Sequence, residues 1–217
     1  DPHIFKAIFL AGGPGSGKGF VVKNLMGGGS TGLRVVNSDD VYEKLASIFK
    51  PEPLDLKDPE VVASPQGQDT REKAKRITKA RQGNYLDGRL GLIIDGTAKD
   101  VDKTKRQKNE LEALGYDTMM VFVNTNMEVA QDRNRKRDRQ LPDEMVIKMW
   151  HSVQDNLMKF QQLFGNQNFY LVDNSGGLED PDRKENFEAV EKAIRRFINS
   201  PPRKPQAKSW LADQRPQ

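Results

Sequence analysis

The sequence predicts an α/β sandwich in which helices cover both faces of a five-stranded, mainly parallel sheet. Five short segments are almost continuously apolar, which is typical of strands buried on both faces. Helix-like segments lie between them, and this alternation indicates a parallel sheet. The strand segments lie at residues 4–11, 33–37, 90–94, 118–124 and 169–172.

Helices are indicated where apolar residues recur every three or four positions. One follows Pro142, and another spans roughly residues 183–198. A polar helix is expected over residues 128–139, because Thr125 and Glu128 have the spacing of a capping box. The apolar stripe after Pro142 consists of Val146, Met149, Trp150, Val153, Leu157, Phe160 and Phe164.

The composition narrows the class of protein. The chain has 217 residues, of which 30% are charged, as expected for one domain with a polar surface. No apolar run approaches the ~20 residues of a membrane helix. The lack of Cys excludes disulfides and a Cys nucleophile, and it favours a cytoplasmic location. The net charge of +4 suits anionic ligands but is too small to establish nucleic-acid binding.

A glycine-rich segment after the first strand predicts a phosphate-binding loop. It fits the pattern G-x-x-x-x-G-K and opens a helix, which is the context that the motif requires. Its glycines let backbone N–H groups wrap around phosphates, and the lysine adds a cation at the outer phosphates. The loop consists of Gly12, Gly13, Pro14, Gly15, Ser16, Gly17 and Lys18.

The two residues after this loop depart from the usual pattern. A hydroxyl residue commonly follows the lysine and binds Mg²⁺, but here Gly19 and Phe20 follow Lys18. The Phe20 ring is expected to pack with Val21, Val22 and Leu25 or to lie against the nucleotide. We therefore expect normal phosphate binding with a reduced affinity for Mg²⁺.

The loop resembles those of P-loop kinases, above all the adenylate-kinase loop, in which Gly also follows Lys. Over roughly residues 4–198 the chain resembles the zeta-toxin and polynucleotide-kinase group. Members of that group phosphorylate a hydroxyl of a sugar nucleotide, a nucleic-acid end or another metabolite. The resemblance implies a P-loop NTPase three-layer sandwich with strand order 2-3-1-4-5, which binds ATP or GTP with Mg²⁺.

The segment VVNSDD ends the second predicted strand, where ligands bind in sheets of this kind. The resemblance assigns to Asp39 the role of the base that accepts a proton from the acceptor hydroxyl. Asp39 is also a candidate Mg²⁺ ligand. The alternative is that Asp39 or Asp40 caps a helix over Val41–Phe49. Tyr42 stands where the group has an Arg.

The segment LIIDGT ends the third predicted strand with Asp95. A carboxylate at this position is suited to hold Mg²⁺, directly or through water. Thr97 is a candidate for orienting the substrate. The alternative for Asp95 and Gly96 is a simple turn.

The segment RNRKRDR is predicted to form part of a lid over the phosphates. On a helix, Arg133 and Arg137 share one face. The resemblance implies that arginines of such a lid contact the transferring phosphate, for which a guanidinium is well suited. The alternative is a solvated basic face paired with Asp132 and Asp138.

The domain organisation follows from these motifs. Residues 1–199 are expected to form the kinase domain, with a substrate-side insertion and helix over 50–89 and the lid over 128–141. The four-proline segment 50–68 is expected to be a loop beside the acceptor. The Pro-rich basic tail 200–217 is either disordered or an arm whose Trp210-Leu211 docks onto a protein partner.

The function expected from the sequence is transfer of a phosphate from ATP or GTP to a hydroxyl of a nucleotide, sugar nucleotide or other small metabolite. A polynucleotide 5′-kinase is an alternative that the basic segment Arg71–Arg81 favours, and the modest net charge does not. A nucleotide-binding scaffold with little or no catalysis is the other alternative, and no membrane partner is expected.

Overall fold

The computed structural model describes residues 3–25, 32–96, 98–136, 140–177 and 179–214. These residues form one five-stranded sheet of order β2-β3-β1-β4-β5 in which every neighbouring pair is parallel. The predicted fold class and strand order are therefore confirmed. The strands are β1 Lys6–Ala11, β2 Arg34–Val36, β3 Leu92–Asp95, β4 Asp117–Asn124 and β5 Phe169–Asp173.

Helices connect the strands and cover the sheet. They are α1 Lys18–Leu25, α2 Ser38–Ser47, α3 Pro59–Ala63, α4 Pro65–Asp87, α5 Val101–Ala113, α6 Met127–Arg135, α7 Asp143–Phe164, α8 Pro181–Asn199 and α9 Pro205–Asp213. Because β1 lies in the centre of the sheet, all six of its residues are buried. Phe9 packs into the apolar cluster with Phe160 of α7, and Ile8 packs into the opposite cluster with Ile194 of α8.

Two helix starts differ from the sequence prediction for local reasons. Helix α2 begins three residues before Val41, because the Asn37 side chain accepts the N–H of Asp39 and caps the helix there. Helix α6 is capped by Asn126, which accepts the N–H of Val129, so the predicted capping box is wrong.

The segment 50–68 is not the continuous loop that its prolines indicated. It contains α3, and α4 already begins at Pro65 behind the cap residue Ser64, whose hydroxyl accepts the N–H of Gly67. Proline is well tolerated in a first helical turn, since its missing N–H has no partner there. Helix α5 had no clear pattern in the sequence, because Leu111 is its only buried side chain.

The C-terminal segment is helical over Pro205–Asp213, so the expectation of a disordered tail is wrong for these residues. Helix α9 packs on the chain's own core, with Ala207 fully buried and the Trp210 ring edge-on to Phe5 at 5.5 Å. Lys6 holds the segment that leads into this helix. Its Nζ donates to Asp117 at 2.8 Å and to the Ser200 hydroxyl at 3.0 Å. Within the described ranges, no helix is long and apolar enough to cross a membrane.

Candidate active site

The loop between β1 and α1 has the conformation that a phosphate cradle requires. Gly15 and Gly17 have φ values of +74° and +88°, which side chains rarely adopt. A Cβ on Gly15 would lie 2.3 Å from the carbonyl oxygen of Ala130 in α6. A Cβ on Gly17 would lie 2.2 Å from Nδ2 of Asn174. The predicted need for glycine here therefore has a second cause, which is the close packing of neighbouring segments against the loop.

Lys18 lies across the inside of this loop. Its Nζ donates to the carbonyl oxygen of Gly12 at 2.9 Å and of Gly13 at 3.5 Å. Phosphate oxygens are stronger acceptors for an ammonium group than carbonyl oxygens are. The lysine is thus placed to exchange these backbone contacts for a nucleotide's phosphates.

Three side chains support the outer side of the loop at Ser16. Asn174 Nδ2 donates to the Ser16 carbonyl oxygen at 2.8 Å, and Arg133 Nη1 approaches the same oxygen at 3.5 Å. Arg183 of α8 donates from Nε and Nη2 to Asn174 Oδ1 at 3.2 and 2.9 Å. Asn174 and Arg183 were not identified from the sequence, because they lie far from every motif and carry no pattern of their own.

The arginine predicted for the lid is present at the loop. Arg133 is partly buried, and burial, followed by the charge of Arg183, lowers its pKa. The neighbouring positive charges of Arg133 and Arg183 favour the binding of an anion there. Part of the alternative, a solvated basic face paired with Asp132 and Asp138, is present, because Lys136 of the same segment pairs with Asp132 at 2.7 Å. Arg137 and Asp138 lie outside the described residues.

Asp95 lies at the carboxyl end of β3, where the sequence placed it. Its Oδ2 accepts from Asn37 Nδ2 at 3.0 Å, while its buried Oδ1 has no hydrogen-bond partner in the described part of the chain. Asn37 Nδ2 also lies 3.2 Å from Asp40 Oδ1. One amide therefore links Asp40 and Asp95, a contact that no sequence motif indicated.

Asp39 and Asp40 both lie exposed in the first turn of α2, and neither is its cap. Burial raises the pKa of Asp95, the charges of Asp40 and Asp39 raise it further, and Lys18 opposes the rise. Although Asp40 is exposed as a residue, partial burial of its carboxyl group and the charge of Asp39 raise its pKa. The three carboxylates and Lys18 thus belong to one electrostatic group.

This group fits a divalent cation held partly by water. Among the described residues, no three His, Cys, Asp or Glu side chains are close enough to bind a metal by themselves. Mg²⁺ commonly needs only one or two carboxylates, because waters and substrate phosphates complete its shell. Asp95, with its unpartnered Oδ1 and the nearby charges of Asp40 and Asp39, is a donor set of that kind among the described residues.

Phe20 lies at the surface of α1, with 40% of its area exposed. Its ring is edge-on to Phe187 of α8 at 5.9 Å, and Arg183 lies 5.3 Å from the ring centre. Packing of this ring with Val21, Val22 and Leu25, or against a nucleotide, stays a prediction. The ring covers the guanidinium that holds Asn174, so it belongs to the support of the loop.

Tyr42, which replaces the expected Arg, has a packing role. It is buried on α2, and the Arg71 guanidinium of α4 lies 4.7 Å from its ring centre. The contact joins two helices that flank the site. Part of the basic face of α4 is thereby used for packing.

A cavity of about 320 Å³ opens beside Asp95. It lies between α4 and α5 and reaches the carboxyl ends of β1 and β3. Residues 50–68 do not line this cavity, and their place beside the acceptor stays a prediction. Within the segment 50–89, α4 provides the wall. Thr97 lies outside the described residues.

The geometry agrees with comparisons to known structures. The chain is similar to a structure of the PezAT toxin–antitoxin system of Streptococcus pneumoniae, with 16% identity, a TM-score of 0.59 and coverage of 89% of this chain and 87% of that one. It is similar to a putative kinase of Chloroflexus aurantiacus, with 14% identity, a TM-score of 0.55 and coverage of 89% and 98%. These likenesses show the fold.

A third similar structure is the Pnkp1/Rnl/Hen1 RNA repair complex, with 20% identity and a TM-score of 0.53. The alignment covers 74% of this chain but only 47% of that one. No functionally curated protein matches the sequence. The profile of the zeta toxin family matches residues 5–186, which is most of the chain. The protein is a P-loop kinase by fold and belongs to the zeta toxin family.

Proposed function

We propose that the protein transfers the γ-phosphate of ATP, or of GTP, to a hydroxyl of a nucleotide, sugar nucleotide or other small metabolite. The observation that carries this proposal is the position of Asp95. It lies in one electrostatic group with Lys18 of the phosphate loop, and it also lines a cavity that reaches the strand preceding that loop. Donor and acceptor sites therefore adjoin at one carboxylate.

The residues divide the work of phosphoryl transfer, which depends mainly on positioning and charge neutralisation. Backbone N–H groups of the loop from Gly12 to Phe20 hold the nucleotide phosphates. Lys18 and Arg133 neutralise charge on the transferring group, together with Arg137. Asp39 accepts the proton of the acceptor hydroxyl.

Asp95 and Asp39 would anchor Mg²⁺, which supplies further charge neutralisation at the phosphates when it is bound. Asp40 differs from Asp39 in sharing the Asn37 amide with Asp95. The roles of the two neighbours therefore need separate variants, Asp39→Asn and Asp40→Asn. Loss of transfer in the first with retention in the second supports Asp39 as the base.

Lys18→Ala tests the mechanism with labelled ATP and a panel of hydroxyl acceptors. Removing a cation that contacts the transferring phosphate should lower the rate by about 10²–10³-fold. Lys23→Ala, which removes an exposed lysine in the last turn of the same helix, is the matched control. An unchanged rate in Lys18→Ala would sink the proposal.

A polynucleotide 5′-kinase is the second candidate. It is favoured by the exposed basic residues of α4 and by the likeness to the RNA repair complex. Transfer of label to the 5′-hydroxyl of an oligonucleotide, compared with the small-acceptor panel, separates the two. A scaffold role remains the third candidate, since Gly19 and Phe20 lack a hydroxyl and a similar structure is a toxin–antitoxin system. Tight ATP binding without turnover on any acceptor would favour it.

A further inference from the structure

The cavity beside Asp95 has an apolar floor and a cationic rim. Its floor is formed by side chains from the middle of the sheet, among them Phe9, Ile94 and Met120. Its rim carries four lysines, two from α4, one from the first turn of α5 and one from the segment that precedes α5. They are Lys75, Lys79, Lys99 and Lys103.

These lysines have little compensating charge. Lys75 pairs with Glu72, but no ion pair of Lys79, Lys99 or Lys103 occurs within the described residues. The lining carboxylates are Asp95 and Asp100. Asp100 is engaged as the cap of α5, where its side chain accepts the N–H of Lys103.

Three lysines without an ion pair among the described residues line one concavity and give it a positive potential. An anion that enters the cavity gains charge-assisted hydrogen bonds from them. Thr78 and Gln82 of α4 also line the wall and offer neutral polar groups to hydroxyls. The cavity is thus built for a molecule with an anionic group, hydroxyls and a compact body.

We propose that the acceptor is a small metabolite that carries a phosphate or carboxylate in addition to its reactive hydroxyl. Lys79, Lys99 and Lys103 bind the anionic group, and the hydroxyl lies towards Asp95. This rests on the proposed function, because it identifies the class of acceptor for the same site. The volume of about 320 Å³ lies at the lower end for ligand pockets, which favours a metabolite over a polymer end.

The test compares acceptors that share a hexose ring and differ in the group at carbon 6, which is neutral in one and anionic in the other two. A neutral hexose, its 6-phosphate and the corresponding uronate are offered with saturating ATP and Mg²⁺. The expected result is a KM at least tenfold lower for one of the anionic acceptors than for the neutral hexose, as a charge-assisted hydrogen bond predicts. The phosphate and uronate arms show which anion is preferred.

Variants of the lysines then show which of them bind the anionic group of the acceptor. Lys79→Met and Lys103→Met should each raise the KM for the anionic acceptor about tenfold, without changing the KM for ATP or for the neutral hexose. Lys79→Arg should retain most of the affinity. Lys73→Met, on the exposed part of α4 away from the cavity, is the matched control. Equal effects of Lys79→Met and Lys73→Met would overturn the assignment.

Calorimetry separates this inference from the proposed function. If no acceptor is phosphorylated, the kinase proposal fails, and binding of hexose 6-phosphate and uronate is then measured directly in the presence of a non-hydrolysable ATP analogue. Binding that Lys79→Met weakens about tenfold still supports the anion site. A lack of binding, or a preference for the neutral hexose, contradicts it.

Discussion

Nδ2 of Asn174 donates a 2.8 Å hydrogen bond to the carbonyl oxygen of Ser16, across 158 positions of sequence. The same amide carries two hydrogen bonds from Arg183 on its Oδ1. Both side chains are at least nine-tenths buried. Helix α8 therefore fixes the Ser16 peptide group of the phosphate loop through Asn174.

Arg183→Leu should raise the KM for ATP about tenfold or more and change the acceptor KM much less. The physical reason is that a hydrogen bond to a charged group contributes about 1.5–3 kcal/mol, and its loss frees Asn174 from the loop. Steady-state kinetics with each substrate varied in turn measures the split. Arg183→Lys should recover part of the affinity, and Arg195→Leu, an exposed change on the same helix, serves as control. Equal changes in both KM values would indicate general misfolding instead.

Asp95→Asn should stabilise the nucleotide-free protein at neutral pH. Because the folded-state pKa of Asp95 is raised above 3.8, the folded protein binds this proton more tightly than the unfolded chain does. The ionised carboxylate therefore lowers the free energy of unfolding above the raised pKa, and this loss disappears as the pH falls towards 3.8. Asparagine removes the charge and can still accept from Asn37.

Thermal unfolding from pH 4 to pH 8 checks this prediction. The Tm difference between Asp95→Asn and the wild type should be positive at pH 7 and shrink towards pH 4, with Asp155→Asn as an exposed control. The same variant should need about 10–100-fold more Mg²⁺ for nucleotide binding, because a carboxylate near the cation is lost. If Asp95→Asn were less stable than the wild type at pH 7, the ionised Asp95 carboxylate would be stabilising in the folded protein, and the prediction would be wrong.

Phe20→Thr should lower the Mg²⁺ concentration needed for half-maximal activity, since it restores a hydroxyl next to the loop. It should also lower the free energy of unfolding by about 0.5–1.5 kcal/mol, because the edge-on contact with Phe187 is lost. Phe20→Leu is the control that loses the ring without gaining a hydroxyl. If both variants have the wild-type Mg²⁺ dependence, the ring acts only through its packing on Arg183.

The sheet could be predicted from the sequence because its strands are buried on both faces and are therefore continuously apolar. Phe9 and Val121 illustrate this, since each is almost fully buried in a segment that is apolar in both neighbours. Helix α5 could not be predicted, because one buried leucine is too weak a periodic signal. Pro65 was read as a loop residue, although it occupies the first turn of α4, where proline is favourable.

The loop of the site could be predicted because its function needs a contiguous pattern of glycines and a lysine. The supports of the loop could not, because Asn174 and Arg183 meet Ser16 only after the chain has folded. The same is true of Asn37, whose single amide contacts Asp40 in the first turn of α2 and Asp95 at the end of β3. Contacts between distant positions leave no local pattern in one sequence.

Lys6→Met should lower the free energy of unfolding by about 3 kcal/mol, the lower end of the cost of breaking a buried ion pair. The cost lies at that end because Arg203 Nε, 3.4 Å from Asp117 Oδ1, remains as a second partner. Both side chains of the Lys6–Asp117 pair are 1% exposed, and burial lowers the pKa of Lys6 despite the attraction of Asp117. The pair also holds the segment that leads to α9, since Asp117 accepts the N–H of Arg203.

The double variant Lys6→Met/Asp117→Asn should regain part of this stability, because it leaves no buried carboxylate that has lost the ammonium group of Lys6. Urea unfolding measures the free energies, and the fluorescence of Trp210 in a Trp150→Phe background reports whether α9 leaves Phe5. In Lys6→Met the emission should shift towards that of exposed tryptophan at lower urea than the loss of helix content. The opposite order, or a single-variant cost below about 1 kcal/mol, would mean that apolar packing of Trp210 and Ala207 holds α9 without the ion pair.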